Sequence, residues 1–598
     1  TLKMSGTAAI NVSHEIWVGN NTGATGAMEI TGGTVTNTSW VAIGRKDTAN
    51  TANTANTGVG GVGSVTMSAG TWTKTGDSNF IIGASGNGSM TMSGGLVSVA
   101  PSLTADRGIT WVGETNNCTG VLTLSDTAEF RSPRFTMGNA SGATGTLNLD
   151  GGIARTGQIT GGAGTANVHF NGTEIIATAN QADFVSNLDV ADVKAGHLRV
   201  NTNGFNIVIQ QALAAGSPAG GVIKTGTGTL TLSGANTYTG NHTVSAGKLV
   251  LTHRSAGGGS VTVADGAVFG ATQEDDQESL EVANATFGTT GASSLDIDLG
   301  NIPDNPFEPP LKVNGTLTLN GPVTINITDQ KPAVGTIPLV SYTSPKMGSG
   351  SFVIGSVPSG VVARLVDDGS GLVTLEVDSV SLPWWDGLVN GKWDTTTKNW
   401  VDSITSVTMA YQDLSPVRFD DLASGPTAIT LDQTVTPSKV VFANTSKTYS
   451  ITGTGKITGS TGVTKSGDAS VTLGTPNDFT GPVTISGGAL ATTTLANGGS
   501  ASGIGASSSA ASNLVLEGGT LRYTGPTATT DRGFTINAAG SGISTVNDLT
   551  VSGVVNNVAG TLLKSGAGNL TFSRNGAIAL GTVSPGLQAQ EGTLTFSG

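Results

Sequence analysis

The chain has 598 residues, of which 89 are glycine and one is cysteine, and its 28 Lys and Arg against 41 Asp and Glu leave a net charge of −13. Charged residues make up only 12%, about half the ~25% usual in globular domains, and helix formers are scarce. The acidic balance argues against nucleic acid, whose binders neutralise phosphates, and against anionic lipid; the lone Cys118 excludes an intrachain disulfide framework, and no apolar run reaches the ~20 residues of a membrane-spanning helix.

Residues 1–167 repeat two elements. The first is an apolar residue followed by glycine, at Val18-Gly19, Ile43-Gly44, Ile82-Gly83, Val112-Gly113 and Met137-Gly138. The glycines are 25, 39, 30 and 25 residues apart, which gives a base period near 25 once polar insertions are removed. The second element is a run of strict alternation, as in "GAMEITGGTV", "GSVTMSAGTW" and "GSMTMSGGLV". Alternation places one residue set on each face of a strand. The expected inward set is Met28/Ile30, Val65/Met67, Met90/Met92, Leu122/Leu124 and Leu147/Leu149. Several short strands per 25-residue period predict a β-solenoid, in which each turn is stabilised by its neighbours. The methionines then fill a core rather than line a cofactor.

Residues 168–265 continue the solenoid more loosely, and "QADFVSNL" and "IQQALAA" are the expected helical turns. Residues 266–380 form a β-rich closing segment of longer alternating strands. Residues 381–425 open with "SLPWWDGLVNGKWDTTTKNWVD", carry Trp384, Trp385, Trp393 and Trp400, and mark a junction. Residues 426–598 form a second solenoid. Inward pairs are expected at Leu230/Leu232, Leu317/Leu319, Val471/Leu473, Leu570/Phe572 and Leu594/Phe596. Both ends are strand-like, so continuation into a longer chain or end-to-end self-association is expected.

Residues 221–251, "GVIKTGTGTLTLSGANTYTGNHTVSAGKLVL", closely resemble the autotransporter-associated β-strand repeat. The matching positions are Lys224, Gly226, Gly228, Leu230, Leu232, Gly234, Asn236, Tyr238, Gly240, Val244, Gly247 and Leu249. A second copy keeps Lys465, Gly467, Leu473, Asn477 and Gly481, with Phe479 in place of tyrosine. A third keeps Lys564, Gly566, Gly568 and Leu570 without the Asn-Tyr half. The tryptophan stretch resembles a unit that often precedes such repeats. The resemblance implies an all-β, right-handed parallel β-helix, exported to the surface of a Gram-negative-type bacterium, with no catalytic residues. No ten-residue membrane strands of the autotransporter barrel are read in this sequence, so another part of the protein or another route is expected to supply export.

Chemical candidates are few. The acidic run Glu274, Asp275, Asp276 and Glu278 is the candidate Ca2+ site, although a solvated loop explains it better, since it lacks the spacing of a cation loop. Asp386, Asp394 and Asp402 lie among tryptophans, as glycosidase carboxylates do, yet a Trp-packed cap over a solenoid end is favoured. The five histidines have no metal-type spacing, and "GTGTG" precedes no helix, so it is a turn rather than a phosphate loop. Cys118 is expected as a small turn residue, able to crosslink if exposed. No cofactor is expected. The chain thus reads as a non-enzymatic extracellular structural protein, a stiff rod, stalk or fibre with adhesive loops such as 46–61. The alternative is a glycan- or surface-binding adhesin, and a carbohydrate-active β-helix enzyme is less favoured.

Overall fold

Alternation gives each short segment one face to bury, and glycine corners let the chain turn and lay the next segment beside the last. The computed structural model describes residues 1–46, 60–100, 107–255, 258–273, 278–300, 305–328, 332–343, 345–358, 360–557, 560–573 and 587–597. Apart from 3-10 turns at His253–Ser255 and Ala511–Asn513, the regular elements among them are all strands. The chain divides into two compact units. The first comprises Thr1–Thr328, Thr336–Val357 and Arg364–Glu376; the second comprises Asp329–Gly335, Pro358–Ala363 and Val377–Gly598.

The first unit is built on two parallel sheets of 18 and 14 strands, denoted walls I and II. In wall I, Met28 and Ile30 lie opposite Val65 and Met67, which lie opposite Met90 and Met92. Leu122 and Leu124 come next, then Leu147 and Leu149. None of these is more than 4% exposed, so the alternation assigned the inward face correctly. Between the walls, Trp72, Phe80, Phe130 and Phe135 meet edge-on with successive ring centroids 5.2, 5.6 and 5.3 Å apart. Each such pair adds about 0.5–1.5 kcal/mol beyond its buried area.

The repeated glycines are corners. Gly44 has φ +72°, and a Cβ on it would lie 2.2 Å from the Asn87 carbonyl oxygen of the next turn. The corners also carry the ladder: Gly83 N–H donates to Ile43 O at 2.7 Å, Gly113 N–H to Ile82 O at 2.8 Å and Gly138 N–H to Val112 O at 2.9 Å.

Neither expected helical turn is helical: the first is a strand, and the second links the ends of two strands. Gln181–Ser186 and Ile207–Ile209 belong to wall II, and Ala214–Ala215 to wall I. Their residues tolerate a helix in isolation, but ladders with the turns on either side override that weak local preference. From residue 268 onward, Val268–Thr272, Ser293–Asp298, Val323–Thr328 and Phe352–Ile354 extend wall II, and a further five-stranded sheet begins with Leu280–Val282 and Leu311–Val313.

Besides a two-stranded ladder of Thr434–Val435 with Lys456–Ile457, the second unit has wall III of ten strands, wall IV of eight, and a four-stranded wall V. The chain visits them in that order, for example as Phe534–Ile536, Ser541–Thr545 and Leu549–Val551. Wall III opens antiparallel, with Trp384–Trp385 against Trp400–Val401 and the latter against Thr408–Met409. It turns parallel where Trp384 pairs with Arg418. Of the expected inward pairs, only Phe596 is substantially open, at 48% exposure. Its ring packs on Phe572 of the preceding rung, centroids 5.6 Å apart.

Candidate functional site: lysine-sealed corners and a tryptophan cluster

The strand Val222–Thr225 alternates so that Val222 and Lys224 share the inward face. That phase carries an ammonium into the interior, where Lys224 is fully buried. Its Nζ donates to Thr225 O at 2.9 Å and Gly226 O at 2.7 Å, both in the corner itself. A third bond, 3.0 Å long, reaches Ala246 O, 22 residues further on in the next turn. Gly226, at φ +74°, supplies the bend. Burial pulls the Lys224 ammonium down to about 8, and the three carbonyls hold it by charge-assisted hydrogen bonds.

The same clamp recurs. Lys465 donates to Ser466 O, Gly467 O and Gly487 O at 2.7, 2.6 and 3.2 Å. Lys564 donates to Ser565 O, Gly566 O and Glu591 O at 2.8, 2.7 and 3.1 Å. Sequence comparison of the repeats missed a further instance. Lys74, fully buried at the end of Val62–Lys74, donates to Thr75 O and Gly76 O at 3.2 and 3.0 Å. The signal was present: "KTG" with Lys74 in the inward phase of Trp72. Burial pulls Lys74 and Lys465 to about 8 as well, and lowers Lys564.

The copies do not occupy one position in the cross-section. Lys74 and Lys224 each lie at the end, or one residue before the end, of a strand of wall I where the chain passes to wall II. Lys465 seals the passage from wall III to wall IV, and Lys564 the passage from wall IV to wall V.

The rest of the motif completes the corner. Leu230, Leu232, Leu473 and Leu570 are fully buried. Gly228, Gly234 and Gly240 press on the turn below; a Cβ would lie 1.9 Å from Phe205 O, 2.6 Å from Gln211 O and 2.2 Å from Gly220 C, respectively. Asn236 brackets the Leu213 peptide: its Oδ1 accepts from Leu213 N–H at 2.9 Å, while Thr237 N–H donates to Leu213 O at 2.8 Å. Asn477 and Asp478 do the same to Ile457, at 2.9 and 3.1 Å. Tyr238 and His242 are buried together, Oη 2.9 Å from Nε2. Burial pulls His242 down to about 4, so the ring is neutral at physiological pH. Phe479 fills the equivalent place with no polar partner to satisfy. The stretch that would carry this half of the third copy falls at 574–586, outside the described residues.

At the start of the second unit, Trp385, Trp393 and Trp400 are buried with Tyr411 and Phe419. Ring centroids are 5.2 Å apart for Trp385–Trp400, 5.4 Å for Trp393–Trp400 and 5.2 Å for Trp400–Phe419. Phe419 stacks on Phe442 at 4.8 Å, joining this cluster to the solenoid core. Trp385 Nε1 donates to Pro426 O at 2.8 Å. Trp384 is half-buried, with the Arg418 guanidinium 5.9 Å from its ring centroid.

The carboxylates among these tryptophans are engaged by turns. Asp386 accepts from Ser424 N–H at 2.9 Å. Asp394 accepts from Thr396 and Thr397 N–H at 2.8 and 2.6 Å. Asp402 accepts from Ile404 and Thr405 N–H at 2.9 and 2.7 Å and from Ser381 Oγ at 2.6 Å. Burial pushes Asp394 and Asp402 upward, but these hydrogen bonds outweigh it and hold both below the usual carboxylate range.

Glu274, Asp275 and Asp276 lie outside the described residues, as does 47–59 of the 46–61 loop. Glu278 pairs with His253 at 2.7 Å. Among the described residues no group of three or more His, Cys, Asp or Glu is placed to hold a metal, and no helix is long and apolar enough to cross a membrane. Cys118 is 2% exposed with Sγ 3.1 Å from Gly83 O, so the exposed, crosslinking alternative does not hold. Arg532 was not anticipated. It is 4% exposed and its guanidinium donates to Ala496 O, Ser500 O, Gly505 O and Ser507 O at 2.8, 3.0, 2.8 and 3.2 Å, tying down the loop that connects walls IV and III.

These geometries define a parallel β-solenoid of lysine-sealed turns. The Passenger-associated-transport-repeat family matches residues 222–251 and 463–491, both intervals opening two residues before a corner lysine. The chain thus carries two copies of a repeat that is similar to those of transported passengers. A relative, the Adhesin BmaC autotransporter of Brucella suis biovar 1 (strain 1330), is 45% identical over 160 residues, covering 23% of this chain and 4% of that protein. The match therefore spans a small part of the relative's length. No solved structure matches the chain.

Proposed function

We propose that the chain is a segment of a surface-exposed passenger in which each solenoid unit acts as a stiff spacer, without enzymatic activity. The observation that carries this reading is the unbroken inward column of wall I, turn upon turn in register. Bending such a stack would open ladder bonds and core contacts together. The engagement of Asp386, Asp394 and Asp402 by backbone N–H groups supports a structural rather than acid–base role for them. Negative-stain electron microscopy of the purified chain is expected to show narrow rods; compact particles would contradict the spacer. Filaments longer than one chain, with matching light scattering, would add end-to-end self-association.

A second reading, adhesion, is supported by the relative's being an adhesin. Cells displaying the chain are expected to attach to a glycan-bearing host surface more than cells lacking it, and equal attachment would remove this reading.

A further inference from the structure

We infer that a groove on the outer side of wall II binds a neutral oligosaccharide; this rests on the adhesive reading and gives it a site. The strand Gln181–Ser186 pairs irregularly with Ile207–Ile209: Gln181 lies opposite Ile207, but Val185 lies opposite Ile209. Three residues, 182–184, therefore stand against Val208 alone, with Ala182 and Asp183 exposed and Phe184 buried, and bulges of this kind re-aim side chains and interrupt a flat face. Beside the bulge is a depression of about 300 Å³ lined by Asn180, Gln181, Ala182, Asn206, Val208 and Thr231, among others.

The two asparagines are oriented by the ladder. Asn180 Oδ1 accepts from Asn206 N–H at 2.8 Å, and Asn206 Oδ1 accepts from Thr229 N–H at 3.1 Å. With each Oδ1 fixed on the backbone, each Nδ2 is left as a donor facing out. Both side chains are exposed. Successive rungs stand about 4.8 Å apart, a spacing close to the length of one pyranose unit. The groove thus offers amide donors on adjacent rungs, a threonine hydroxyl, and an apolar floor from Val208 and Ala182. Among the described residues, no charged side chain lines it. Asp183, in the bulge, has its carboxylate tied to Gln158 Nε2 at 2.9 Å. Hydroxyls of a neutral sugar can accept from the amides and donate to the threonine while C–H faces rest on the floor. An anionic glycan would find no counter-charge.

The test uses the whole chain in calorimetry with hexasaccharides of β-1,4-linked glucose, mannose and N-acetylglucosamine. At least one is expected to bind. Val208→Trp fills the groove from an outward position. Asn180→Asp with Asn206→Asp keeps each Oδ1 acceptor and replaces each donor. Both variants are expected to keep the wild-type circular dichroism and to weaken binding at least about tenfold, roughly 1.4 kcal/mol. No binding of any of the three by the wild-type chain, or unchanged binding by both variants, overturns the inference. If wild-type cells attach to a host surface but the purified chain binds none of the three, the groove falls and adhesion stands.

Discussion

Lys224 places its ammonium against Gly247: a Cβ at that glycine would lie 2.8 Å from Nζ. The two halves of the repeat are thereby explained as one device. The lysine of one turn reaches the Ala246 carbonyl of the next, and the following glycine leaves room for it. Gly247→Ala is expected to be destabilising, through its φ of +66°, which costs a β-carbon about 1–2 kcal/mol, and through the clash. Lys224→Met removes the ammonium that Gly226 O and Ala246 O accept from, while Thr225 O keeps the Thr202 N–H, and is expected to cost about 1–3 kcal/mol. Denaturant unfolding, with hydrogen exchange of the amides in 222–251, checks both; unchanged protection in Lys224→Met would remove the clamp as a stabilising contact.

The corners also set a pH dependence. Lys74, Lys224 and Lys465 titrate near 8 when folded, against 10.5 for the free side chain. Below about pH 8 both the folded and unfolded chains hold the protons, and the burial cost is constant. Between about 8 and 10.5 the unfolded chain binds more protons, so this linkage makes stability rise with pH. A chain with all three changed to methionine is expected to keep only the smaller part of that slope that Lys564 supplies, read from unfolding midpoints between pH 7 and 10.

Asp421 acts in the opposite range. Its carboxylate accepts from Lys447, Ser446 and Thr445 N–H at 2.9, 3.0 and 2.9 Å, and these bonds hold it far below the usual carboxylate range. The resulting stabilisation is complete above the unfolded carboxylate's pKa and is lost as pH falls through the lower folded value. Asp421→Asn is expected to flatten the acid limb of the stability profile, as followed by circular dichroism from pH 6 downward. An unaltered limb would show that other carboxylates govern it.

The tryptophans should separate by depth. Trp400→Ala opens a cavity among four aromatic rings and is expected to cost the second unit about 3–5 kcal/mol. Trp384→Ala removes a half-buried ring and one cation–π contact, worth about 0.5–1 kcal/mol at such a site. Unfolding followed by tryptophan fluorescence distinguishes the two; equal losses would contradict the packing described.

Arg532→Met should release the loop at 496–507 while leaving the walls intact. Limited proteolysis is expected to cut there many times faster than in the wild type, with circular dichroism unchanged.

Much of the fold was legible because a solenoid turns alternation directly into burial: Met28, Val65 and Met90 fall in one column because each holds the same phase in its strand. The lysine clamp was legible only as a repeated letter. Lys224 sits two residues after Val222, Lys465 after Val463 and Lys564 after Leu562, and that spacing already placed each ammonium inside. What hid it was the prior that lysine faces water. Gln181–Ser186 was misread as a helical turn because its partners, Gln158–Gly161 and Ile207–Ile209, are over twenty residues away. Arg532 gave no signal at all, since its acceptors are carbonyls of a loop whose path local sequence does not fix.

Lys465 and Lys564 seal different corners of the same unit, so the module is not locked to the turn of the solenoid. Like a mark advancing around a screw thread, each further copy can face a new compass bearing. A long chain assembled from such modules could thereby present the loops between them to all sides of the cell's surroundings, with no change to the interior that supports them.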